Sequence, residues 1–453
     1  MRRVDRTITS GSSREFGVMQ HTDISPAEIA SYFDRLWPLN RSITGEGYRQ
    51  SLRILDEIMP MERLRFATGE RVLDWIVPRE WNVNQAYIVD PNGVRRADVR
   101  TNNLHLVGYS VPFRGELTFD ELSTHLHTVP RQPSAIPYLT SYYREYWGFC
   151  LSHDEFQTLP RSGKYKVVVD TTLQPGHVEV GEAVLEGETT EEVMLSSYLC
   201  HPSLANNELS GPLALAFVYR LLSAQPRRRL TYRFVICPET IGSICFLSVR
   251  GDHLRKQLKA GYVLSCIGDR GRMTYKRTRD GHSLADRAAM TVLKERGPFD
   301  VMDFDPGNGS DERQYCSPGY ALPVGSVMRT PYAKYDEYHT SLDNRQLMDF
   351  VAMTDAIRAV ADIASALDGN RFWRNTAPFG EPNLGRRGIY PSMNSKEGLD
   401  EALRSLFWLL NFSDGQHDIL DIAERSGIRV GRLIETAQRL SDAGLLVPAE
   451  TSD

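Results

Sequence analysis

No stretch of the 453 residues approaches the roughly 18 uninterrupted apolar residues that a membrane-spanning helix needs. A membrane as partner is therefore not expected. The N-terminus, MRRVDRTITSGSSREFG, runs from arginines straight into Ser and Gly and lacks the apolar core of a secretory signal. Residues 1–23 read as a disordered lead-in, and the protein as cytoplasmic. Cysteine is scarce: Cys150, Cys200, Cys237, Cys245, Cys266 and Cys316 form no CxxC pair, and several lie in apolar runs, so buried free thiols are expected. An excess of positive charge is also missing. Lys and Arg number 53 against 58 Asp and Glu, a net charge of -5, which argues against a nucleic-acid-binding main body. What remains is a 41% hydrophobic, 25% charged chain, the mixture of a globular protein with a large core, long enough for two to four domains.

Ser25-Pro26 opens a helix, the serine as cap and the proline in the first turn, with Ile29, Phe33, Leu36 and Trp37 at helical spacing. A second helix is expected from Gly45 to Met59, burying Leu52, Ile54, Leu55 and Ile58. Between about residues 70 and 160 short β-prone runs (VLDWIV, AYIVD, LHLVGYSV) are broken by Asn, Gly and Pro, the texture of a small β-rich unit. Its stretch IPYLTSYYREYWGFC is dense in Tyr and Trp, which suits either an apolar minicore or the wall of a substrate cleft. From about Lys164 to Leu367, strands and helices alternate. VMLSSYLC (193–200), TYRFVIC (231–237), GYVLSCI (261–267), FDVMDF (299–304) and ALPVGSVM (321–328) are the strand candidates. This order predicts an α/β sandwich with a mixed, largely parallel sheet, and ligands in such sheets sit beyond the carboxyl ends of the strands. After a Gly/Pro/Asn-rich linker (371–395), three short helices and a final Leu-Leu-Val fit a winged helix-turn-helix over 396–453.

Polar clusters lie at those strand ends. Cys200-His201-Pro202-Ser203 and Asn206-Asn207-Glu208 follow the first strand, Glu239-Thr240 the second and Gly268-Asp269 the third. Ser310-Asp311-Glu312 and Tyr338-His339-Thr340-Ser341-Leu342-Asp343 lie around the last. Two histidines and several carboxylates on one rim supply what a hydrolytic zinc site needs: neutral imidazole and carboxylate ligands, and a free carboxylate to take a proton. Taken singly, each has a plainer use. His201 alone is equally a hydrogen-bonded loop residue, and Glu208 could complement the N-terminus of the helix that begins near Pro212.

The order of His, an Asn-rich loop ending in Ser-Gly, Glu-x-x-Gly, Ser-Asp and Tyr-His-Thr-Ser-x-Asp resembles the zinc aminopeptidase and glutaminyl-cyclase superfamily. More closely, SSYLCHPSLANNELSGP, MRTPYAKYDEYHTSLDN, RSITGEGYR, DWIVPREWN, NNLHLVGYSVP and IPYLTSYYREYWGFC are similar to a bacterial aminopeptidase-like family. The resemblance covers nearly all of the chain beyond about residue 24. It implies a zinc-exopeptidase-like catalytic domain over 24–69 and 161–370, an inserted β-rich domain over 70–160 and a C-terminal winged helix. It also implies a zinc-dependent hydrolase of an N-terminal aminoacyl amide or peptide bond. Members often lie among polysaccharide or natural-product biosynthesis genes, so the small-molecule or peptide substrate can belong to a biosynthetic pathway.

This sequence departs from the two-zinc pattern of the superfamily. Ser203 stands where His-x-Asp has its aspartate, Asn207 aligns with the metal-bridging aspartate, and the Glu-Glu pair has become Glu239-Thr240. The third-strand aspartate aligns with Ser265, with Asp269 four residues on. His201, Glu239, Asp311 and His339 persist. The expectation is one zinc held by His201, His339 and Glu208, with Glu239 as general base. Asn207, Asp269 and Asp311 are further candidates to ligate or to support a ligand, and Arg329 and Tyr338 to hold substrate. Two alternatives stand beside it: a mononuclear zinc acyltransferase or cyclase on the same scaffold, and an inactive scaffold with a binding winged helix. The winged helix carries Arg429, Arg432 and Arg439 among Glu435, Asp414, Asp418, Asp421, Glu424, Asp442 and Glu450. Nucleic acid is accordingly not expected as its partner, and a second copy of the chain is kept as a candidate for docking.

Overall fold

The structure, a computed structural model, describes residues 24–389 and 396–449. The lead-in expected over 1–23 lies outside the described residues. The chain divides into two compact units between Asp368 and Gly369.

The larger unit opens with the helix Pro26–Leu36, capped by Ser25, whose side chain accepts from Glu28 N at 3.2 Å, and buries Ile29, Phe33 and Leu36. The next helix, Glu46–Leu55, is shorter than expected and buries Tyr48, Ser51, Leu52 and Leu55. Gly45 before it has φ 95°, and a Cβ there would meet the Trp81 carbonyl oxygen at 2.3 Å, so only glycine fits.

The core is an eight-stranded sheet in the order Glu62–Ala67, His177–Leu185, Thr231–Cys237, Glu192–Tyr198, Leu258–Leu264, Val324–Met328, Thr274–Lys276, Asp300–Met302. Four of its pairings are parallel and three antiparallel. Parallel pairing holds the centre, where Glu192–Tyr198 and Thr231–Cys237 are buried along their whole length, as strands covered on both faces must be. The helices Ser210–Ser223, Ile241–Gln257, Leu284–Arg296 and Phe350–Gly369 supply the crossovers and flanks. The sequence expectation of a mixed, largely parallel α/β sheet is met.

The β-rich region has its own four-stranded antiparallel sheet, ordered Arg95–Arg96, Glu80–Val89, Tyr165–Gln174, Phe113–Leu117. An insert closed at residue 160 would cut this sheet. Tyr165–Gln174, read as the start of the catalytic alternation, pairs with Glu80–Val89 along its length and then leads into His177–Leu185 of the large sheet. The aromatic stretch supplies the expected minicore and also reaches the strand ends of the large sheet. Trp147 stacks on Phe113 at 4.3 Å within the β-rich core, while Tyr138 and Tyr142 turn toward the strand ends.

The smaller unit is a three-stranded antiparallel sheet, Asp414–Asp418, Phe372–Asn375, Leu446–Pro448, with helices Lys396–Phe412, Ile419–Ser426 and Val430–Asp442. Asp418 caps the second helix in a reciprocal box with Asp421, and Gly427 at φ 68° ends it. The expected linker therefore starts late. Phe372–Asn375 is the central strand of this sheet, and residues 390–395 lie outside the described residues. Among the described residues no helix is long and apolar enough to cross a membrane, and all six cysteines are free and buried.

Candidate metal and catalytic site

The strand Glu192–Tyr198 ends against a tight turn. Cys200 and His201 follow it, Ser203 takes φ 48°, and Ala205–Leu209 forms a π-helical turn that feeds the helix Ser210–Ser223. π-Turns inside helices recur at functional sites because they re-aim side chains. Asp343 holds this turn open-ended: its carboxylate accepts from the backbone N–H groups of Ala205, Asn206 and Asn207 at 3.2, 2.7 and 2.9 Å, and from the Tyr335 hydroxyl at 3.1 Å. Burial pushes its carboxyl up to about 6.

His201 is bracketed by two carboxylates. Glu208 Oε2 lies 2.7 Å from Nδ1, and Glu239 Oε2 lies 3.6 Å from Nε2. Burial works against charge on the ring, but the charge and hydrogen bond of Glu208, then Glu239, outweigh it and hold its pKa above the ordinary value. Glu208 is fully buried; its other oxygen accepts from the peptide N–H groups of Cys200 and of His201, the latter at 2.8 Å. Cys200 Sγ is 3.3 Å from His201 Nδ1, and donor atoms of Cys200, His201 and Glu208 all lie within 4.8 Å of one another. One buried acceptor here lacks a hydrogen-bond partner, Asn207 Oδ1; the other amide atom of Asn207 donates to the Tyr198 hydroxyl at 3.0 Å. Arg41, with no exposed surface, carries the peptide of His201 through Nε at 3.2 Å and the Leu36 carbonyl through Nη1 at 2.6 Å.

His339 comes from a distant loop, at φ 57°, and its ring centre is 5.4 Å from that of His201. Two imidazoles that share one zinc, each at a Zn–N distance of about 2.0–2.1 Å, bring their ring centres to about 5 Å. Burial, then the neighbouring His201, pushes His339 down to about 3, so it is a neutral donor. Tyr338 stacks on it at 3.9 Å and 13°. Tyr138, from the β-rich region, lies across both rings at 4.7 Å from His201 and 5.3 Å from His339, its backbone N–H donating to the His339 carbonyl at 2.9 Å.

Glu239 follows Thr231–Cys237 on a three-residue turn. Ile241 N donates to the Glu239 carbonyl at 2.8 Å, and Thr240 between them has φ 64° and ψ -70°, the rare strained form of the γ-turn. Asp311 pins that turn, accepting from Thr240 N at 2.8 Å and Ser243 Oγ at 2.9 Å. Ser310 Oγ donates to Glu239 Oε1 at 2.8 Å. Burial raises the Glu239 pKa, with Glu208 and Glu312 adding to it and His201 and Ser310 opposing. The side chain is 28% exposed, the most accessible acid of the group around His201. Burial and Glu239 push Asp311 up to about 7.

The structure thus brings His201, Asn207, Glu208, Glu239 and His339 together. Asp311 stands behind the Glu239 turn. Asp269 is engaged with Asn206 Nδ2 at 2.7 Å, Gly271 N at 2.5 Å and Thr330 Oγ1 at 3.0 Å, so its oxygens are occupied within the fold. Arg329 donates to the Gly271 and Ala352 carbonyls at 2.7 and 2.6 Å and pairs with Asp355, bracing the loop after the third strand and the Phe350–Gly369 helix. Its contacts are structural ones, unlike those of Tyr338, which also lines a cleft of about 360 Å³ with Arg131, Gln132, Ala333, Tyr335 and Asp336. Sequence reasoning assigned no role to Tyr138, Arg41 or Ser310. The aromatic stretch and the RSITGEGYR run were the signals for the first two.

Residues 31–370 match the family described as a domain of unknown function, DUF4910, and residues 371–448 match a winged helix-turn-helix family. A Clostridium acetobutylicum protein, described as a candidate polysaccharide biosynthesis protein with an aminopeptidase-like domain, is 41% identical over 429 residues, 94% of this chain and 98% of its own. A crystal structure of a candidate peptidase from Clostridium acetobutylicum is 40% identical with a TM-score of 0.87, covering 94% of this chain and 96% of that one. BSAP, a zinc aminopeptidase from Bacillus subtilis, is 12% identical with a TM-score of 0.53 over 76% of this chain and 94% of its own, a likeness of fold. The chain belongs to the DUF4910 family, an aminopeptidase-like α/β fold that here carries a C-terminal winged helix.

Proposed function

We propose that this protein is a zinc-dependent hydrolase of the aminopeptidase type, acting on an aminoacyl amide or peptide bond, with His201, His339 and Glu208 as metal donors and Glu239 as general base. The observation that carries the reading is the meeting of His201, Glu208 and His339 at the strand ends: Glu208 Oε2 lies 2.7 Å from His201 Nδ1, and the two ring centres are 5.4 Å apart. Asn207 Oδ1, buried beside Glu208 without a hydrogen-bond partner, is costly to leave so unless a cation completes it. Imidazole and carboxylate are the donor types zinc takes, and the spacing of the two rings suits a shared ion. Zinc bound there would supply Lewis acidity, polarising the scissile carbonyl and acidifying water.

The chain's own groups perform the proton work. Glu239 Oε2, raised in basicity by burial and free of the hydrogen bond that holds Oε1, accepts a proton from the attacking water and returns it to the leaving nitrogen. Tyr138 covers both imidazoles from one side. The Clostridium acetobutylicum relative's name supports a substrate from polysaccharide biosynthesis.

Zinc content tests the reading. Protein purified without metal and then given zinc should bind about one equivalent, and His339→Ala should bind none. Glu208→Gln should also abolish binding; a loss of only about 10–100-fold in affinity would make Glu208 the residue that orients His201 through Nδ1 and not a ligand. No binding by the unaltered protein would sink the hydrolase reading. Product analysis with an aminoacyl amide, with and without an added amine, separates hydrolysis from acyl transfer.

A further inference from the structure

Lys276, at the end of the strand Thr274–Lys276, has no exposed surface. Its ammonium donates to Asn308 O at 2.6 Å, Glu312 Oε1 at 2.8 Å and the Tyr332 hydroxyl at 2.9 Å. Asn308 and Glu312 are the two ends of one short turn, and Ser310 sits at its middle. Glu312 reaches back across the turn, accepting from Ser310 N at 3.0 and 3.2 Å. Ser310 Oγ in turn donates to Glu239 Oε1 at 2.8 Å. A continuous chain of hydrogen bonds therefore runs from the buried ammonium to one oxygen of the proposed base, leaving the other oxygen toward His201.

A buried Lys–Glu pair is a poor device for stability alone, because the cost of removing both charges from water roughly cancels their attraction, and packed apolar side chains would serve as well. Its use lies in direction. Two of the three acceptors around the ammonium, Asn308 O and Glu312 Oε1, lie on one turn whose first residues, Gly307 to Gly309, include two glycines, and the ammonium ties its two ends together. The Phe304 and Tyr332 rings, 5.7 and 5.5 Å from Nζ, close the pocket around the charge.

We infer that Lys276 is a positioning residue for Glu239: with Glu312 it fixes the 308–312 turn so that Ser310 holds the carboxylate in one orientation. The inference rests on the reading of Glu239 as the base, and extends it to residues some distance from the chemistry.

Three proteins test it: the unaltered chain, Ser310→Ala, and Lys276→Met/Glu312→Gln, which removes both charges so that neither is left buried alone. Crystal structures should show the Glu239 carboxylate in a single orientation toward His201 in the first, and turned or spread over several orientations in the other two. With an aminoacyl 4-nitroanilide and zinc, kcat should fall at least about tenfold in both variants with KM within about twofold, the pattern of lost positioning. A Glu239 carboxylate that keeps its orientation in both variants overturns the inference. If the double variant does not fold, Ser310→Ala decides alone. If Glu239 is released in the variants but the unaltered protein leaves the anilide intact, the positioning chain stands and the hydrolase reading fails.

Discussion

At the scale of single residues, the acids Glu239 and Asp311 ask for opposite experiments. Glu239 is accessible and proposed to exchange protons, so Glu239→Gln should leave zinc content and melting temperature unchanged while kcat drops on the order of 10²–10⁴-fold. Near-full activity in that variant would make the residue structural. Asp311 touches no solvent, and its carboxyl is pushed from 3.8 up to about 7 by burial and by Glu239. The folded protein then holds a proton that the unfolded chain releases, so Asp311 makes stability fall as pH rises through the window from about 4 to 7. Asp343, raised to about 6, acts in the same sense, whereas His339, lowered to about 3, acts in the opposite one. Comparing the metal-free protein with Asp311→Asn isolates the first of these, because asparagine mimics the protonated acid and keeps an acceptor for Thr240 N. Urea midpoints at pH 4.5, 5.5 and 7 should decline more steeply for the unaltered chain; parallel profiles would show that Asp311 does not titrate there.

Among the elements, the short turns at the strand ends hold the strain. Ser203, Thr240, Cys266 and His339 all have positive φ without being glycine, and each follows or lies beside a strand of the large sheet at the site. Such conformations cost about 1–3 kcal/mol each and persist where the surroundings over-determine them. Thr240 is the extreme case, a β-branched residue at the centre of a γ-turn. Thr240→Gly should therefore leave the melting temperature unchanged or raise it, since relief of strain offsets the extra freedom glycine brings to the unfolded chain. Activity should fall about tenfold to a hundredfold as Glu239 loses its fixed base. A melting temperature several degrees lower would show that the side chain, not the backbone, matters there. Strain of this kind was invisible in the sequence, where Thr240 registered only as a departure from the Glu-Glu pair. The strands themselves were legible, because runs such as TYRFVIC are apolar from end to end and ended in Thr231–Cys237 as expected. Tyr165–Gln174 fell inside the 161–370 span expected for the catalytic domain, yet it pairs with Glu80–Val89, because linear texture does not name the sheet a strand joins.

For the whole molecule, every strand of the eight-stranded sheet lies between residues 62 and 328. A chain ending at residue 370 should therefore fold and bind zinc as the intact protein does; loss of zinc binding on truncation would make the winged helix part of the site. The winged helix has its own apolar core, including Ile419, Ile422, Leu433 and Leu440, and its recognition-type helix, Val430–Asp442, pairs Arg432 with Glu435 at 3.7 Å. Phosphate contacts, the source of most non-specific affinity, would need an excess of cations that this module lacks. The intact protein should show no salt-sensitive binding to duplex DNA in a fluorescence titration; tight, sequence-selective binding at physiological salt would instead mark a regulator. That His201, Glu208, Glu239 and His339 come together was legible because long motifs carried them, while Tyr138 was not, since nothing in a linear pattern says which tyrosine of a cluster will face two histidines 63 and 201 residues away.

His201 and His339 meet across 138 residues of chain. At a synthesis rate of about 5–20 residues per second, the first imidazole leaves the ribosome roughly 7–28 seconds before the second. Throughout that interval a growing chain offers Cys200, His201 and Glu208 without their distant partner. On the proposed zinc reading, metal loading is a late event in the protein's biogenesis, open only once the final strand has docked and the His339 loop has folded. A nascent fragment cut short before that loop would leave the ribosome lacking one of the two proposed imidazole donors.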